Sequence, residues 1–238
     1  MAQLNVNGLV VDVARKNIKN LYLAVYPPNG RVRVAAPLRV NDEAVRLAVI
    51  VKLAWIKRQQ VKFQEQERQS AREYIDGESH YFQGNRYRLN VIERAGVGQV
   101  ALRNKKIIDL YVRPHSQLGH RERVLTEWYR AHLKQTIPPL IAKWEKIIGV
   151  KVAAWGVKHM KTKWGTCHPE AQRIWLNLEL AKKSLRCLEY IVVHELVHLL
   201  ERQHNDAFVA HMNKFLPQWR SLRAELNREP LAHVTWGY

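Results

Sequence analysis

The chain has 238 residues, of which 47% are hydrophobic and 25% charged, a globular balance that excludes a disordered chain and can bury a core. Thirty-nine Lys and Arg face 21 Asp and Glu, and the resulting net charge of +18 attracts polyanions, so nucleic acid is a candidate partner. No apolar run approaches the roughly 18 residues of a membrane-spanning helix, and two cysteines exclude a disulfide framework. The N-terminus carries no basic head followed by an apolar run, so we expect a cytoplasmic protein.

The first part of the chain predicts strands followed by a helix. Short β-branched or alternating segments indicate strands at residues 9–14, 21–26 and 31–36. In the last of these, arginine alternates with valine, which predicts one basic face and one packed face. Asn41 or Asp42 can cap a helix that we expect to continue through the polar residues 57–74 and to end near Asp76-Gly77.

The rest of the chain predicts more strands and then mostly helices. We expect strands at residues 80–84, 86–92, 97–102 and 107–112, a linker at 114–119, a helix at 121–149 disturbed by Pro138-Pro139, strands at 152–157, 164–167 and 173–178, and helices at 184–200, at 206–215 and from Pro217. The pattern indicates an α+β fold with a strand-rich N-terminal region at 1–115 and a catalytic domain at 116–238. No internal repeat is visible in the sequence.

One string carries the chemistry, His194-Glu195-Leu196-Val197-His198. Residues four apart lie on one face of a helix, one turn apart, so both imidazoles can bind one ion. Glu195 can reach water at that ion without binding it, which is the HExxH arrangement of zinc hydrolases. Apolar residues surround the string, as a buried helix requires. We therefore predict Zn²⁺ at His194 and His198 with Glu195 as general base, in preference to two surface histidines beside a glutamate.

A catalytic zinc ion has three protein ligands and one open position, so a third ligand is needed. His204 is the first candidate, ten residues beyond His194, a spacing that also occurs in metzincins. Those enzymes turn the chain at a glycine, which is absent here, so we expect Gln203 or Asn205 to take an unusual backbone conformation. Three other residues could replace His204: Glu201, His211 and Glu225.

The remaining reactive or aromatic residues also have structural readings. Cys187 lies seven residues before His194, about 10 Å along a helix, and is expected in the core. Cys167 is expected to pack as well, or to lie near the site. Tyr87 and Trp128 stand beside arginines and could stack on bases, but burial in the core is the preferred interpretation.

Strings along nearly the whole chain carry a family resemblance: Arg31-Val-Arg-Val, Trp55-Ile, Gly77 to Leu89, Trp164-Gly-Thr-Cys167, Leu176-Asn177, Tyr190 to Leu199, His204 to Phe208 and Pro217. With them the chain resembles the YgjP-like family of metallopeptidases, which are relatives of the SprT-like and WLM zinc proteases. The family commonly has Arg-Trp-Gly-Ser-Cys where this chain has Lys163-Trp-Gly-Thr-Cys. The resemblance implies a zincin-like catalytic domain, His204 as third ligand, and a strand at 164–167 beside the metal cleft, where such strands pair with extended substrate.

The function predicted is a zinc-dependent metallohydrolase, a peptidase acting on proteins or peptides, with DNA-associated proteins as candidate targets. The alternatives are a nucleic-acid-binding protein with a structural zinc ion, which would need a fourth ligand such as Cys167, and a hydrolase of a non-peptide substrate. The candidates for donating a hydrogen bond to the oxyanion are His159, His168, Lys163 and Tyr190. The candidates for accepting a hydrogen bond from the metal-binding imidazoles, and so orienting them, are Asp206 and Glu179. The sequence does not set the oligomeric state.

Overall fold

The computed structural model describes residues 2–26, 29–65, 72–160 and 163–228. The chain forms two compact units, Met1–Arg68 and Gln69–Tyr238. The sequence-based boundary between residues 115 and 116 falls inside the second unit. The physical reason is one shared hydrophobic core, in which Leu110 from the strands before that boundary and Leu133 from the helix after it are both fully buried.

The first unit is a four-stranded sheet followed by two helices: β1 Ala2–Val6, β2 Leu9–Lys16, β3 Tyr22–Tyr26, β4 Arg31–Pro37, α1 Asp42–Val51 and α2 Leu53–Glu65. The strand order is β1-β2-β4-β3, with β2 and β4 parallel and both outer pairs antiparallel. Asn41 caps α1, because its side-chain oxygen accepts a 2.9 Å hydrogen bond from the Ala44 amide. Valines of β2, β4 and α1 together with Ile56 of α2 form a small core of their own.

Two details of this unit differ from the sequence-based expectation. Strand β1 was not predicted, because its five residues include the polar Gln3 and Asn5 and give a weak strand pattern. The helix predicted through residue 74 is interrupted at Lys52 between α1 and α2, and residues 72–75 are not helical. The rest of that predicted helix, residues 66–71, lies outside the described part of the chain.

The second unit contains two sheets and four α-helices: β5 Ser79–Phe82, β6 Asn85–Glu93, β7 Gln99–Arg103, β8 Ile107–Val112, α3 Leu118–Ile148, β9 Ala154–Lys158, β10 Gly165–His168, β11 Arg173–Asn177, a 3₁₀ helix Leu178–Lys182, α4 Leu185–Val197, α5 Asp206–Phe215 and α6 Trp219–Arg228. The first sheet has the order β5-β6-β8-β7 and the second β10-β11-β9. Strand β10 pairs with β11 antiparallel, and β9 with β11 parallel. These elements confirm the mixed α+β class.

Helix α3 is continuous through Pro138 and Pro139, where a disturbance was expected. Each proline removes one backbone hydrogen bond from the helix. Both prolines lie on the exposed side, together with Lys134 and Gln135, whose carbonyl groups would otherwise accept those bonds. The opposite side is a buried stripe running from Leu125 to Ile148, and its packing against the sheet and α4 outweighs the local cost.

The site-bearing helix α4 lies in the middle of this core. It contacts α3, α5, α6 and strand β10, and nine of its thirteen residues are buried. Along the described ranges, no helix is both long and apolar enough to cross a membrane.

Candidate active site

The HExxH string lies at the C-terminal end of α4. Ser184 begins the helix as its N-cap, with its hydroxyl oxygen accepting a hydrogen bond from the Cys187 amide at 3.3 Å. The helix ends at Val197, and His198 follows as the C-cap in a right-handed conformation. Both histidines therefore keep helical spacing, and the apolar flanks of the string hold them against the core.

Three imidazoles converge at this end of the helix. One ring nitrogen from each of His194, His198 and His204 lies within 4.8 Å of the others. The Nε2 atoms of His194 and His204 are 3.0 Å apart, and the ring centroids of His198 and His204 are 4.6 Å apart. Phe208 of α5 packs against all three rings at 4.7 to 5.0 Å between centroids and closes the apolar side of the cluster.

The chain reaches His204 through a turn that requires no left-handed residue. No residue from 199 to 205, all of which are described, has a positive φ, and Asn205 lies at −90°. The unusual conformation expected for Gln203 or Asn205 is therefore not found. Instead, the Gln203 amide donates to the Glu201 carboxylate at 3.0 Å, and Asn205 caps α5 by accepting from the Phe208 amide at 3.0 Å. Side-chain acceptors at both ends of the turn replace the missing glycine.

The other candidates for a third ligand lie elsewhere. Glu225 accepts a 2.7 Å hydrogen bond from the Ser184 hydroxyl, at the far end of α4 and about 15 Å from His194 along the helix. His211 stacks on Phe215 with 6.0 Å between ring centroids. The Glu201 side chain is half-buried, and its carboxylate accepts a hydrogen bond from the Gln203 amide within the turn. Within the described ranges, only the three histidines form a cluster of metal-binding type.

Burial and mutual proximity keep these imidazoles neutral. Burial, followed by the charges of His198, His204 and Arg223, lowers the pKa of His194 to about 3. Burial also lowers the pKa of His198 and that of His204. His198 Nδ1 lies 3.0 Å from the Glu201 carbonyl oxygen. Because a carbonyl only accepts, Nδ1 carries the hydrogen, and Nε2 keeps the lone pair that a metal ion would use.

Glu195 lies beneath strand β10. The residue is 4% exposed, and this burial raises its pKa to about 8. The positive charge of Lys163 has the opposite, smaller effect and lowers the pKa. A Cβ atom placed on Gly165 of β10 would lie 2.4 Å from Glu195 Oε1. The absence of a side chain at this position is therefore what lets the β10 backbone pass directly over the carboxylate. Burial, followed by the Glu195 charge, raises the pKa of the Cys167 thiol on the same strand to about 12.

The residues considered for oxyanion binding divide into two groups. His159 and His168 lie 3.7 Å from Glu179 and Glu170 and are engaged there. Lys163 and Tyr190 belong to the site, since the Lys163 charge acts on Glu195 and the Tyr190 ring packs edge-on against His194 at 5.9 Å.

The partners that orient the imidazoles differ from those expected. Asp206 is exposed in the first turn of α5, and Glu179 binds Lys182 at 2.8 and 2.9 Å. The acceptor for His198 is the Glu201 backbone carbonyl. Sequence reasoning also missed Arg223 of α6, whose charge lowers the pKa of His194 and His204. Arg223 lies nineteen residues beyond His204, and nothing in its sequence surroundings marks it.

The aromatic residues beside arginines are mainly structural. Tyr87 is 6% exposed, and Tyr129 donates a 2.8 Å hydrogen bond from its hydroxyl to the Tyr81 carbonyl. Trp128 packs on Phe82 at 4.5 Å between ring centroids. Cys187 is fully buried, with its thiol 3.4 Å from Glu225.

The donor set fits a zinc ion. Two nitrogen atoms bound to one tetrahedral zinc ion lie about 3.3 Å apart, because each Zn–N bond is about 2.0–2.1 Å. The 3.0 Å between the Nε2 atoms of His194 and His204 is close to that separation. Neutral imidazoles are the form that binds metal. No fourth His, Cys, Asp or Glu of the described chain joins the cluster. A zinc ion held by these three histidines would therefore keep one coordination position for water or substrate.

The family comparison agrees with this chemistry. No curated protein matches the chain. Among solved structures it is similar to the metallopeptidase zymogen abylysin of Pyrococcus abyssi, at 19% identity and a TM-score of 0.35, over 39% of this chain and 97% of that one. The family model for the YgjP-like metallopeptidase domain matches residues 19–229, which cover most of both units and all three histidines. The chain therefore belongs to the YgjP-like family of metallopeptidases.

Proposed function

We propose that this protein is a zinc-dependent peptidase in which His194, His198 and His204 bind the metal ion and Glu195 is the general base. One observation carries the proposal. The three neutral imidazoles face a shared point, and the neighbouring carboxylate is buried beneath an adjacent strand.

Each group has a part in hydrolysis. When bound, zinc supplies a Lewis acid that lowers the pKa of water and polarises a carbonyl group. The Glu195 carboxylate takes the proton of the attacking water and passes it to the departing amine. The Lys163 ammonium and the Arg223 guanidinium place positive charge near Glu195 and the histidines, where negative charge develops on the substrate oxygen.

A peptide substrate is favoured by the position of β10. This strand is at one end of the order β10-β11-β9, so one of its edges has no partner among the described strands. An extended chain can add to such an edge through main-chain hydrogen bonds. The scissile bond of a chain bound there would lie beside Glu195, over which the β10 backbone passes at Gly165. The net charge of +18 supports the further proposal that the substrates are proteins associated with DNA.

The test is proteolysis of an unfolded basic protein by the zinc-loaded enzyme, with and without single-stranded DNA. We expect Glu195→Gln to retain stoichiometric zinc and to lose about 10²–10⁴-fold in rate, the usual contribution of a general base. Glu127→Gln, at an exposed position on α3, is the matched control and should cleave like wild type.

Three results would overturn or restrict parts of the proposal. Activity retained by Glu195→Gln would remove its role as base. Stoichiometric zinc without cleavage of any protein would indicate a hydrolase of a small non-peptide substrate. A rate that does not respond to DNA would restrict the proposal to the peptidase itself.

A further inference from the structure

The sheet β5-β6-β8-β7 has one face packed on the core and one that is not. Side chains alternate along each strand, and Leu89, Ile108 and Leu110 are buried on the core side. The opposite side, here called the outer face, carries six large polar or aromatic residues: Tyr81, Arg86, Arg88, Arg94, Arg103 and Tyr111. None of them contributes to the histidine cluster, so this surface needs a separate explanation.

The outer face is strongly positive. One buried carboxylate lies on it, that of Asp109, and Arg103 neutralises it through two 2.9 Å hydrogen bonds. Arg86 and Arg88 are exposed on the same strand, two residues apart, and have no carboxylate partner among the described residues. Two neighbouring guanidinium groups without a counter-charge repel each other, so a bound anion would stabilise them. Their planar N–H groups can donate paired hydrogen bonds to the oxygens of a phosphate.

The two tyrosines mark the ends of this face. Tyr81 pairs directly with Arg86, whereas Tyr111 pairs with Ile92, six residues further along β6. At about 3.3 Å per residue the two rows are about 20 Å apart, with Arg88 and Arg103 between them. The Arg94 guanidinium lies 4.0 Å from the centre of the Tyr111 ring, so this ring already stacks on a planar cation.

We propose that the outer face binds single-stranded nucleic acid, with guanidinium groups on the phosphates and bases stacked on Tyr81 and Tyr111. Open sheets that carry aromatic rings between basic side chains provide both interactions for a single strand. A duplex is the poorer fit, because its bases are paired and this face presents no helix or ribbon to enter a groove. The proposal concerns binding, and it stands apart from hydrolysis because the six residues take no part in the metal cluster.

The test is fluorescence anisotropy of a labelled oligothymidylate of about 20 nucleotides over a range of salt concentrations. All proteins carry Glu195→Gln, so that proteolysis plays no part. For Arg86→Gln/Arg88→Gln we expect about tenfold weaker binding and a salt slope lower by about 1.4, at about 0.7 for each phosphate contact in a single strand. Tyr111→Leu should weaken binding about tenfold and leave the salt slope unchanged, because stacking releases no counterions.

Two controls separate local from general charge effects. Lys134→Gln/Arg186→Gln removes the same charge from exposed positions on α3 and α4 and should change affinity by less than about twofold. Arg86→Lys/Arg88→Lys keeps the charge and should keep the salt slope.

Three outcomes would overturn the proposal. One is equal weakening by the α3/α4 control and the outer-face pair. Another is a duplex that binds as tightly as the single strand, with no effect of Tyr111→Leu. The third is no binding at low salt by protein whose melting temperature shows that it is folded.

Discussion

The two four-stranded sheets share one plan and have different surroundings. Each has an antiparallel hairpin, a parallel pair and a second antiparallel strand, in the orders β1-β2-β4-β3 and β5-β6-β8-β7. Each also carries a buried aspartate bound by an arginine, Asp12 by Arg31 and Asp109 by Arg103. The following helix differs, since α1 has ten residues and α3 has 31. The longer helix places the second sheet in the core that holds α4, whereas the first sheet has a small core of its own.

The hairpins show the same contrast. Both turn at a glycine with φ near +79°, Gly8 in one and Gly84 in the other. Gly8 has open space around it. In the second hairpin, the backbone amides of Gln83 and Gly84 donate to carbonyl groups of the 3₁₀ helix at 3.0 Å. A Cβ atom placed on Gly84 would lie 3.2 to 3.3 Å from atoms of Ser184, the N-cap of α4. The same hairpin plan thus has an open turn glycine in the first unit and a turn glycine held against the 3₁₀ helix in the second.

The largest expected effect comes from matched changes in the two cores. Ile56→Ala and Ile108→Ala each remove a fully buried isoleucine and should cost about 2–5 kcal/mol in their own unit. Only Ile108→Ala should also lower the temperature at which zinc is released, because Ile108 shares a core with α4. Hydrogen exchange resolved by unit, together with zinc release on heating, measures both quantities. Equal loss of zinc in the two variants would break the distinction between the cores.

An intermediate effect is expected at the hairpin glycines. Gly8→Ala should cost about 1–2 kcal/mol, because a side chain is strained at positive φ and meets nothing else. Gly84→Ala adds a contact of 3.2 to 3.3 Å with Ser184 atoms, including backbone, and should cost about 1–3 kcal/mol more. Denaturant unfolding of both variants gives the comparison, and equal costs would show that the second hairpin is not fixed against α4.

The smallest effect concerns the buried aspartates. Hydrogen bonds from Arg103 and Asn90 lower the pKa of Asp109, and a hydrogen bond from Arg31 lowers that of Asp12. An aspartate whose pKa is lowered in the folded state stabilises the protein at pH values above 3.8, its ordinary pKa. This stabilisation is lost as the pH falls through the folded-state pKa. Asp109→Asn should therefore cost on the order of 1 kcal/mol at pH 7 and nothing in strong acid. Asp12→Asn should behave alike, and a cost independent of pH for either would remove the charge from the explanation.

The sequence predicts elements well where the period is clear. The bounds of β8 and α5 agree with the expectation to the residue. It does not reveal the repeated sheet plan, because that plan constrains little beyond a turn glycine and a buried aspartate, and the other residues differ. Helical spacing also predicts the meeting of His194 and His198. The clearance at Gly165, the Glu201 carbonyl and the approach of Arg223 could not be foreseen, because each depends on packing between elements distant in sequence.

The clearance at Gly165 also bears on what the enzyme would tolerate in a substrate. At Gly165, main chain and not a side chain lies over Glu195. The wall of the cleft at that point would therefore contact the backbone of a bound substrate and not its side chains. Backbone is common to every protein, so such a wall imposes little preference for sequence. Selection would then fall on conformation. A folded domain keeps its strands paired, whereas a locally unfolded segment offers its amides and carbonyls to the open edge of β10.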